Sequence, residues 1–189
     1  MLLKSLLLII AGYLAGSLPF SVWLPQMRGR DVRAVGDGNP GAVNAFKAAG
    51  PAIGIAALLL DFLKGAVPVA AAYAWVGLRG WWLTPVILAP VLGHMAPLFL
   101  RFRGGKALAV TFGVWAGVTL WEVPCVLGAA LMLGKLVLRL KHDAYSVLIG
   151  MNALVLYVIV RYRSVPLSLA ALLCAALVSW RHRRELGGR

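Results

Sequence analysis

Charged residues are scarce in this chain, and acidic residues are the scarcest. Only 13% of the 189 residues are charged, and six Asp or Glu residues stand against 19 Lys or Arg residues. Soluble domains are about 25% charged and about 45–50% apolar, whereas this chain is 61% hydrophobic, with a mean hydropathy of +0.86. The composition therefore excludes a soluble globular domain and predicts an integral membrane protein.

Cysteine is also rare, and the common motifs of soluble enzymes are absent. The two cysteines, Cys125 and Cys174, lie inside apolar segments, where a small hydrophobic side chain usually serves packing. The sequence has no metal-spaced Cys/His cluster, no Ser-His-Asp order, no Walker loop and no dinucleotide fingerprint. We therefore expect no metal site and no cofactor.

Seven apolar segments alternate with polar ones. Two of them, 107–120 and 124–138, fall below the roughly 20 residues that span a bilayer, which indicates either helices tilted into thinned membrane or one half-helix. We expect an all-α fold: a polytopic integral membrane helix bundle of about seven short transmembrane helices, forming a single membrane domain over 1–189. The expected spans are 2–24 (ended by Pro25), 51–76, 82–100, 107–120, 124–138, 145–160 and 165–180.

The excess of positive charge predicts the orientation of these spans. In a soluble protein a net charge of +13 would suggest nucleic acid, but here the basic residues cluster in short loops, so we expect no nucleic acid partner. Loops 25–50, 101–106 and 139–144 and the tail 181–189 hold thirteen Lys or Arg residues, against four on the opposite face. The positive-inside rule then places these loops and the C-terminus in the cytoplasm and the N-terminus outside.

Two features of the spans predict contacts between helices. Asp61 and Lys64 lie one helical turn apart in the second span, where an unpaired charge is costly. We expect them to pair with each other or to face the interior, as a structural ion pair or as a substrate contact. Small residues in the first span predict a face for close helix packing, formed by Gly12, Ala15, Gly16 and Ser17.

The polar segment 36–44 is the first candidate site. Its glycines allow the backbone to turn so that several N–H groups converge on one small anion, and a phosphate would suit such a turn. An ordinary Gly- and Asn-rich membrane loop is an equal alternative. The candidate residues in and beside this segment are Gly36, Asp37, Gly38, Asn39, Asn44 and Lys47.

A second candidate site follows the third span. Gly104 and Gly105 free the backbone just before a helix, and we expect Lys106 in the first turn of that helix. The positive end of the helix dipole and the ammonium would both favour an anion there. The alternative is an ordinary cytoplasmic anchor of Lys and Arg residues.

Three further polar residues lie near the same face. His94, about two turns before the basic turn, is either a packing histidine or a site residue. His182 lies among arginines at the mouth of the last span, which favours a neutral imidazole that can accept a proton. Ser146 either starts the sixth helix or contributes to the site. From these residues alone, an anion site bordered by lipid suits a phosphorylated small molecule that meets an acyl chain, but a channel or an anion carrier is also possible.

Five segments of the chain carry a specific resemblance. They are Gly-Ser-Leu-Pro-Phe at 16–20, Val-Gly-Asp-Gly-Asn-Pro-Gly-Ala-Val-Asn at 35–44, Asp-Phe-Leu-Lys-Gly at 61–65, the stretch 93–106 from Gly-His to Phe-Arg-Gly-Gly-Lys, and Arg-His-Arg at 181–183. In combination they resemble the PlsY family of bacterial acyl-phosphate:glycerol-3-phosphate acyltransferases, which are small seven-span membrane enzymes. The resemblance covers nearly the whole chain.

The resemblance implies a reaction and a set of residues. A fatty acyl group would pass from acyl phosphate to the 1-hydroxyl of glycerol 3-phosphate at the bacterial plasma membrane, giving lysophosphatidate without a metal or a covalent enzyme intermediate. The expected partners are acyl phosphate, glycerol 3-phosphate and membrane lipids. Catalysis would come from positioning and charge neutralisation, with His182, Asp37 and Lys106 as catalytic candidates. The family's phosphate-binding and positioning residues fall on Asn39, Asn44, Lys47, Lys106 and His182.

The chain departs from the family pattern mainly in its loops. The carboxylate of Asp37 stands where the family has a serine, and it would repel a dianionic phosphate. Two alternatives therefore stay open: an acyltransferase with a different acceptor, and a lipid-binding or regulatory protein of the same fold without the activity. The Asn after the terminal Arg-His is missing. The other departures are Val43 for Thr, Lys47 for Arg, Ala107 for Gly, and Val147 for Ser, with Ser146 one place early.

Overall fold

The computed structural model describes residues 2–140 and 142–186. This part of the chain contains nine α-helices and no β-strand. Short 3-10 turns occur at Val32–Ala34, Gly80–Trp82 and Leu98–Leu100, and π-helical turns at Ala71–Trp75 and Leu133–Val137 extend two of the helices. The α-helices are α1 (Leu2–Ser17), α2 (Phe20–Gln26), α3 (Ala42–Ala49), α4 (Pro51–Ala70), α5 (Leu83–Met95), α6 (Leu108–Thr119), α7 (Glu122–Met132), α8 (Asp143–Tyr162) and α9 (Val165–Leu186).

Five segments of the described chain are long and apolar enough to cross a membrane. Two helices between them are shorter, because α6 has 12 residues and α7 has 11. The all-α integral membrane bundle is therefore confirmed, with the fourth and fifth of the seven expected spans short, as their sequences predict. The five long segments are Leu2–Gln26, Pro51–Trp75, Gly80–Leu100, Asp143–Tyr162 and Val165–Arg183.

The first apolar segment contains two helices rather than one. α1 ends at Ser17, and α2 begins after Pro19, whose ring lacks the N–H that would continue the first helix. At this break the carbonyl of Leu18 accepts a hydrogen bond from Lys64 Nζ at 2.7 Å. The expectation that Pro25 ends the first span is wrong, because Pro25 lies buried inside α2.

The expected pairing of Asp61 with Lys64 is confirmed. Lys64 Nζ lies 2.6 Å from Asp61 Oδ1, and both side chains are almost completely buried. Each charge thus offsets the cost of burying the other. Since Lys64 also donates to the Leu18 carbonyl, the pair attaches α4 to the break between α1 and α2.

Glycines bring the helices into close contact. A Cβ atom built on Gly16 would lie 2.2 Å from the carbonyl oxygen of Pro90 in α5. This contact confirms the expected small-residue face of α1. A second such face occurs on α6, where a Cβ on Gly113 would lie 2.0 Å from the carbonyl oxygen of Phe62 in α4.

The last helix is longer than the expected span. α9 continues beyond Trp180 to Leu186, so residues 181–186 are helical rather than part of an extended tail. The segment 25–50 is also partly helical, since it contains α3. Segments 36–44 and 104–106 and the end of α9 lie together at one end of the bundle, which we call the site end.

Exposed tryptophans occur near both ends of the bundle. Because each spanning helix runs from one end to the other, the turns after α4 and α6 lie opposite the site end. Tryptophans at both boundaries are typical of the aromatic belts of membrane proteins. The exposed tryptophans are Trp23 and Trp180 near the site end and Trp75, Trp81 and Trp121 at the other.

Candidate active site

Three separate segments meet at the site end, and Lys106 connects them. Its ammonium contacts Asp37 of the glycine-rich segment and Glu185 of α9. Lys106 precedes α6, which begins at Leu108, so the expectation that it lies in the first turn of the helix is wrong. Ala107 intervenes with a φ of 63°, a left-handed conformation that turns the chain into the helix and that is costly for a residue with a Cβ atom.

The ammonium of Lys106 lies between two carboxylates. Its Nζ is 2.5 Å from Asp37 Oδ2, and it forms a second ion pair with Glu185. Partial burial alone would lower the pKa of Lys106, but the hydrogen bonds to Asp37 and Glu185 raise that pKa above its ordinary value. Lys106 is therefore a positioned positive charge at neutral pH.

Asp37 accepts hydrogen bonds from three groups. Its Oδ1 accepts from Asn44 Nδ2 at 2.8 Å and from the Asn39 N–H at 3.2 Å, while its Oδ2 accepts from Lys106. Partial burial alone would raise the pKa of this carboxyl, but the hydrogen bonds from Lys106, Asn44 and Asn39 lower the pKa to about 2. Asp37 is therefore ionised at neutral pH, and it orients the side chains around it.

Two glycines of the segment 36–44 adopt backbone conformations suited to a tight turn. Gly36 and Gly38 have φ angles of 58° and 69°, which favour glycine. A Cβ atom on Gly36 would lie 2.3 Å from Asn44 Oδ1 and 3.1 Å from Lys47 Nζ. The turn therefore brings Asn44 and Lys47 against its backbone, next to Asp37.

Three backbone N–H groups of this turn are used within the turn itself. Gly38 donates to the Val35 carbonyl at 3.1 Å, Asn39 donates to the Asp37 carboxylate, and Gly41 donates to the Asn39 carbonyl at 2.8 Å. These three N–H groups already have partners, so any convergence of N–H groups on an anion would involve others, such as those of the first turn of α3. Side chains provide the positive charge of the site.

Arg181 holds the Gly104–Gly105 turn in place. Its guanidinium donates to the carbonyls of Gly105 at 3.0 Å, Met95 at 2.7 Å and Gly104 at 2.5 Å. The turn packs so tightly that a Cβ on Gly104 would lie 2.0 Å from the His94 carbonyl oxygen. Sequence reasoning missed Arg181, although an arginine directly before a candidate histidine was a usable signal.

The two candidate histidines are both buried at the site end. The His94 side chain lies beneath the turn, since a Cβ on Gly105 would be 2.4 Å from its Nε2. His182 follows Arg181 on α9, and its Nδ1 lies 2.8 Å from the Val178 carbonyl oxygen of the same helix. When Nδ1 carries the proton of that contact, Nε2 has a free lone pair and can accept a proton.

Comparison with known protein families identifies the chain. The family described as Glycerol-3-phosphate acyltransferase matches residues 6–188. The chain belongs to the glycerol-3-phosphate acyltransferase family. All three segments that meet at Lys106 lie within the matched region.

Relatives of known sequence match this acyltransferase family member over nearly its whole length. Glycerol-3-phosphate acyltransferase 1 of Thermotoga maritima is 35% identical over 95% of this chain and 94% of its own. The glycerol-3-phosphate acyltransferase of Geobacter sulfurreducens is 36% identical over 98% and 93%. That of Anaeromyxobacter sp. is 39% identical over 96% and 90%.

Two solved structures have the same fold as this acyltransferase family member. Both are crystal structures of PlsY, described as an integral membrane glycerol 3-phosphate acyltransferase. Its glycerol 3-phosphate form is 33% identical, with a TM-score of 0.89 over 97% of this chain and 90% of that chain. The form with lysophosphatidic acid is 30% identical, with a TM-score of 0.86 over the same shares.

The structure of this acyltransferase family member brings most of the sequence candidates together, but Ser146 lies elsewhere. Ser146 is buried against the π-helical turn after α7, where a Cβ on Gly134 would be 2.8 Å from its Oγ. α8 begins at Asp143, so Ser146 is the fourth residue of the helix and lies at the end of its first turn. The role of Ser146 in substrate binding remains a prediction. Glu185, which sequence reasoning missed, is in contact with Lys106.

Proposed function

We propose that the protein transfers a fatty acyl group from acyl phosphate to the 1-hydroxyl of glycerol 3-phosphate, giving lysophosphatidate for phospholipid synthesis in the bacterial plasma membrane. The observation that supports this best is the Lys106 cluster at one end of a membrane bundle, in a chain that matches glycerol-3-phosphate acyltransferases over 95% of its length. The similarity to PlsY structures in glycerol 3-phosphate and lysophosphatidic acid forms supports the acceptor and the product.

In the proposed reaction one carbon–oxygen bond forms and another breaks. The 1-hydroxyl oxygen of glycerol 3-phosphate attacks the acyl carbonyl carbon, the bond from that carbon to the phosphate oxygen breaks, and inorganic phosphate leaves. His182 accepts the hydroxyl proton through Nε2 while its Nδ1 donates to the Val178 carbonyl. The proton then passes from His182 to the leaving phosphate, so the histidine returns to its neutral form.

The two phosphates of the substrates need positive charge and hydrogen-bond donors. Lys106 and Lys47 provide the charge, and the side-chain amide of Asn39 provides a neutral donor beside them. The Asn44 amide donates to Asp37 and to the Asn39 carbonyl, and it binds phosphate by releasing one of these partners. Asp37 has a different role from the one its sequence suggests. A carboxylate with a pKa of about 2 is a poor base at neutral pH, so Asp37 positions Lys106 and Asn44 and does not take the proton.

The glycines of the two turns and the buried His94 provide the packing that positions the phosphate-binding side chains. Gly36 and Gly38 allow the turn that holds Asn44 and Lys47, while Gly104 and Gly105 allow the basic turn to pass over His94. The space that a Cβ atom would take is filled by Asn44 at Gly36 and by His94 at Gly104 and Gly105, so these glycines allow the close packing that positions the proposed ligands of the phosphates.

We place the site end of the bundle in the cytoplasm, with the N-terminus outside. The excess of Lys and Arg residues in the segments that meet there supports this orientation. Cysteines introduced singly at Arg103 and Arg163, in a chain with Cys125 and Cys174 replaced by serine, would test it in intact cells. A membrane-impermeant maleimide should label Arg163→Cys and not Arg103→Cys, and the reverse pattern would refute the orientation.

The decisive experiment is an assay of the purified protein with acyl phosphate and glycerol 3-phosphate. We expect the wild type to release inorganic phosphate in step with formation of lysophosphatidate, and Lys106→Ala to lower kcat/KM by about 100-fold or more because a preorganised charge is lost. Lys135→Ala removes an ammonium from an exposed ion pair with Asp143 and serves as the control. Unchanged activity in Lys106→Ala would refute the site.

The same assay separates the two alternatives. An inert wild type that gains turnover in Asp37→Ser would identify a protein of the family fold that has lost the activity. A wild type that turns over acyl phosphate with another hydroxyl or amine, but not with glycerol 3-phosphate, would identify a transferase with a different acceptor.

A further inference from the structure

Glu185 lies 79 residues from Lys106 in the sequence, yet its carboxylate contacts the Lys106 ammonium. Both side chains are partly exposed, Lys106 at 24% and Glu185 at 29%. The contact therefore lies at the entrance of the site, where a ligand from water can reach it.

The two carboxylates on Lys106 are held very differently. Asp37 is fixed by Asn44 and by the Asn39 N–H as well as by Lys106. For Glu185, the hydrogen bond found in the described part of the chain is the one with Lys106. Releasing Glu185 from Lys106 therefore breaks fewer contacts than releasing Asp37, because only Asp37 is anchored by its own segment.

A phosphate that binds at Lys106 must compete with these carboxylates. An ammonium has three N–H donors, and Asp37 and Glu185 occupy it from two sides. While both remain, the ammonium and the two carboxylates sum to one negative charge, which repels a dianion. Removal of Glu185 from the ammonium frees a donor and relieves this repulsion in one movement.

We propose that Glu185 is a displaceable internal ligand of Lys106, which occupies the ammonium in the empty site and leaves it when the phosphate of the acceptor binds. The inference rests on the proposed function, because it identifies the acceptor's phosphate as the competing group. Glu185 thereby sets the affinity for the acceptor: it is a positioning residue that lowers the affinity of the site for phosphate while keeping Lys106 in place.

Glu185→Gln tests the proposal in the full-length protein. The variant keeps the shape of the side chain and removes its charge, so we expect KM for glycerol 3-phosphate to fall about fivefold, comparable to the strength of a partly exposed ion pair, with kcat within about twofold. Asp143→Asn is the matched control, since it removes one carboxylate that pairs with Lys135 rather than with Lys106. Its KM should equal that of the wild type.

A second measurement does not depend on turnover. Inorganic phosphate titrated into the purified protein in a calorimeter should bind about fivefold more tightly to Glu185→Gln than to the wild type or to Asp143→Asn. If the wild type shows no acyl transfer but this difference is present, the proposed function fails while the role of Glu185 stands.

Several outcomes would overturn the proposal. An unchanged or raised KM in Glu185→Gln would mean that the carboxylate does not compete with the acceptor. Equal phosphate affinity in the two proteins would mean the same. Absence of phosphate binding to both proteins would also overturn it, because Lys106 would then not be a phosphate site.

Discussion

At the scale of single residues, Asp37 shows how a carboxylate can belong to an anion-binding site. Its two oxygens accept from Lys106, Asn44 and the Asn39 N–H. The carboxylate organises two of the groups that the proposed function assigns to phosphate binding, Lys106 and Asn44, and it does so from within the turn. The carboxylate also adds a negative charge to the site, and the positive charge of the neighbouring Lys47 offsets part of that charge.

The lowered pKa of Asp37 predicts how stability depends on pH. Because the folded pKa is about 2, below the ordinary 3.8, the stabilisation from this group is fully present above about pH 4 and is lost as the pH falls through about 2. Since the side chain is 47% exposed, the contribution is about 1 kcal/mol or less after solvent screening. Asp37→Asn should therefore lower Tm at pH 5–8, and the difference should shrink between about pH 4 and pH 2.

Thermal unfolding in detergent over that pH range provides the measurement. Asp143→Asn controls for the loss of one exposed carboxylate that does not pair with Lys106. A Tm difference between wild type and Asp37→Asn that stays constant down to pH 2 would contradict the assigned contacts.

The separation of two residues along the chain determines whether their contact can be predicted from the sequence. Asp61 and Lys64 are three residues apart, so a helix alone brings them together, and their pairing could be predicted. Lys106 and Glu185 meet only because α9 docks against the basic turn. No local pattern contains that information, and the same holds for the Arg181 contacts with three carbonyls.

At the scale of helices, glycine contacts determine how closely α4 and α6 approach. A Cβ on Gly113 would lie 2.0 Å from the Phe62 carbonyl oxygen, whereas a Cβ on Gly128 in α7 would find its nearest atom, in Phe112, at 3.7 Å. Both glycines lie in α-helices, but only Gly113 packs directly against the backbone of a neighbouring helix.

Alanine at these two positions should have opposite effects on stability. We expect Gly113→Ala to reduce the free energy of unfolding by about 2 kcal/mol, because the added methyl group separates α4 from α6. Gly128→Ala should be neutral or slightly stabilising, since alanine favours a helix and the added methyl group meets Phe112 at an ordinary van der Waals distance. Thermal unfolding of both variants in the same detergent tests the contrast, and equal Tm values would refute the close packing.

Helix positions could be predicted from hydropathy, but two helix ends could not. Hydropathy marks where an apolar stretch stops, and it does not mark a break inside one, such as the break at Pro19 where the first helix loses a backbone donor. At the other end of the chain, residues 181–186 remain helical although they are polar. Arg181 and Glu185 hold this part of α9 against the 104–106 turn, and such tertiary contacts override the local sequence.

At the scale of the whole molecule, the short helix α6 should make activity sensitive to bilayer thickness. Its 12 residues extend about 18 Å, well below the roughly 30 Å of a typical hydrocarbon core. A thick bilayer must thin around α6 or strain the segments that flank it, and α6 begins directly after the Lys106 turn.

Reconstitution into vesicles of increasing lipid chain length would measure this dependence. We expect kcat to fall by about fivefold from thin to thick bilayers, made from lipids with about 14 to 22 carbons per chain, as the mismatch around α6 grows. KM for glycerol 3-phosphate, which arrives from water, should stay constant and serves as the internal control. A kcat that does not vary with chain length would contradict the link between α6 and the site.

The short length of α6 would also affect lipid synthesis in the cell. A transferase that slows as its surroundings thicken would restrain the synthesis of new lipid when long fatty acids accumulate, and would recover when shorter ones return. Membrane growth would then be self-limiting, governed by a mechanical property of the product layer rather than by a dissolved signal.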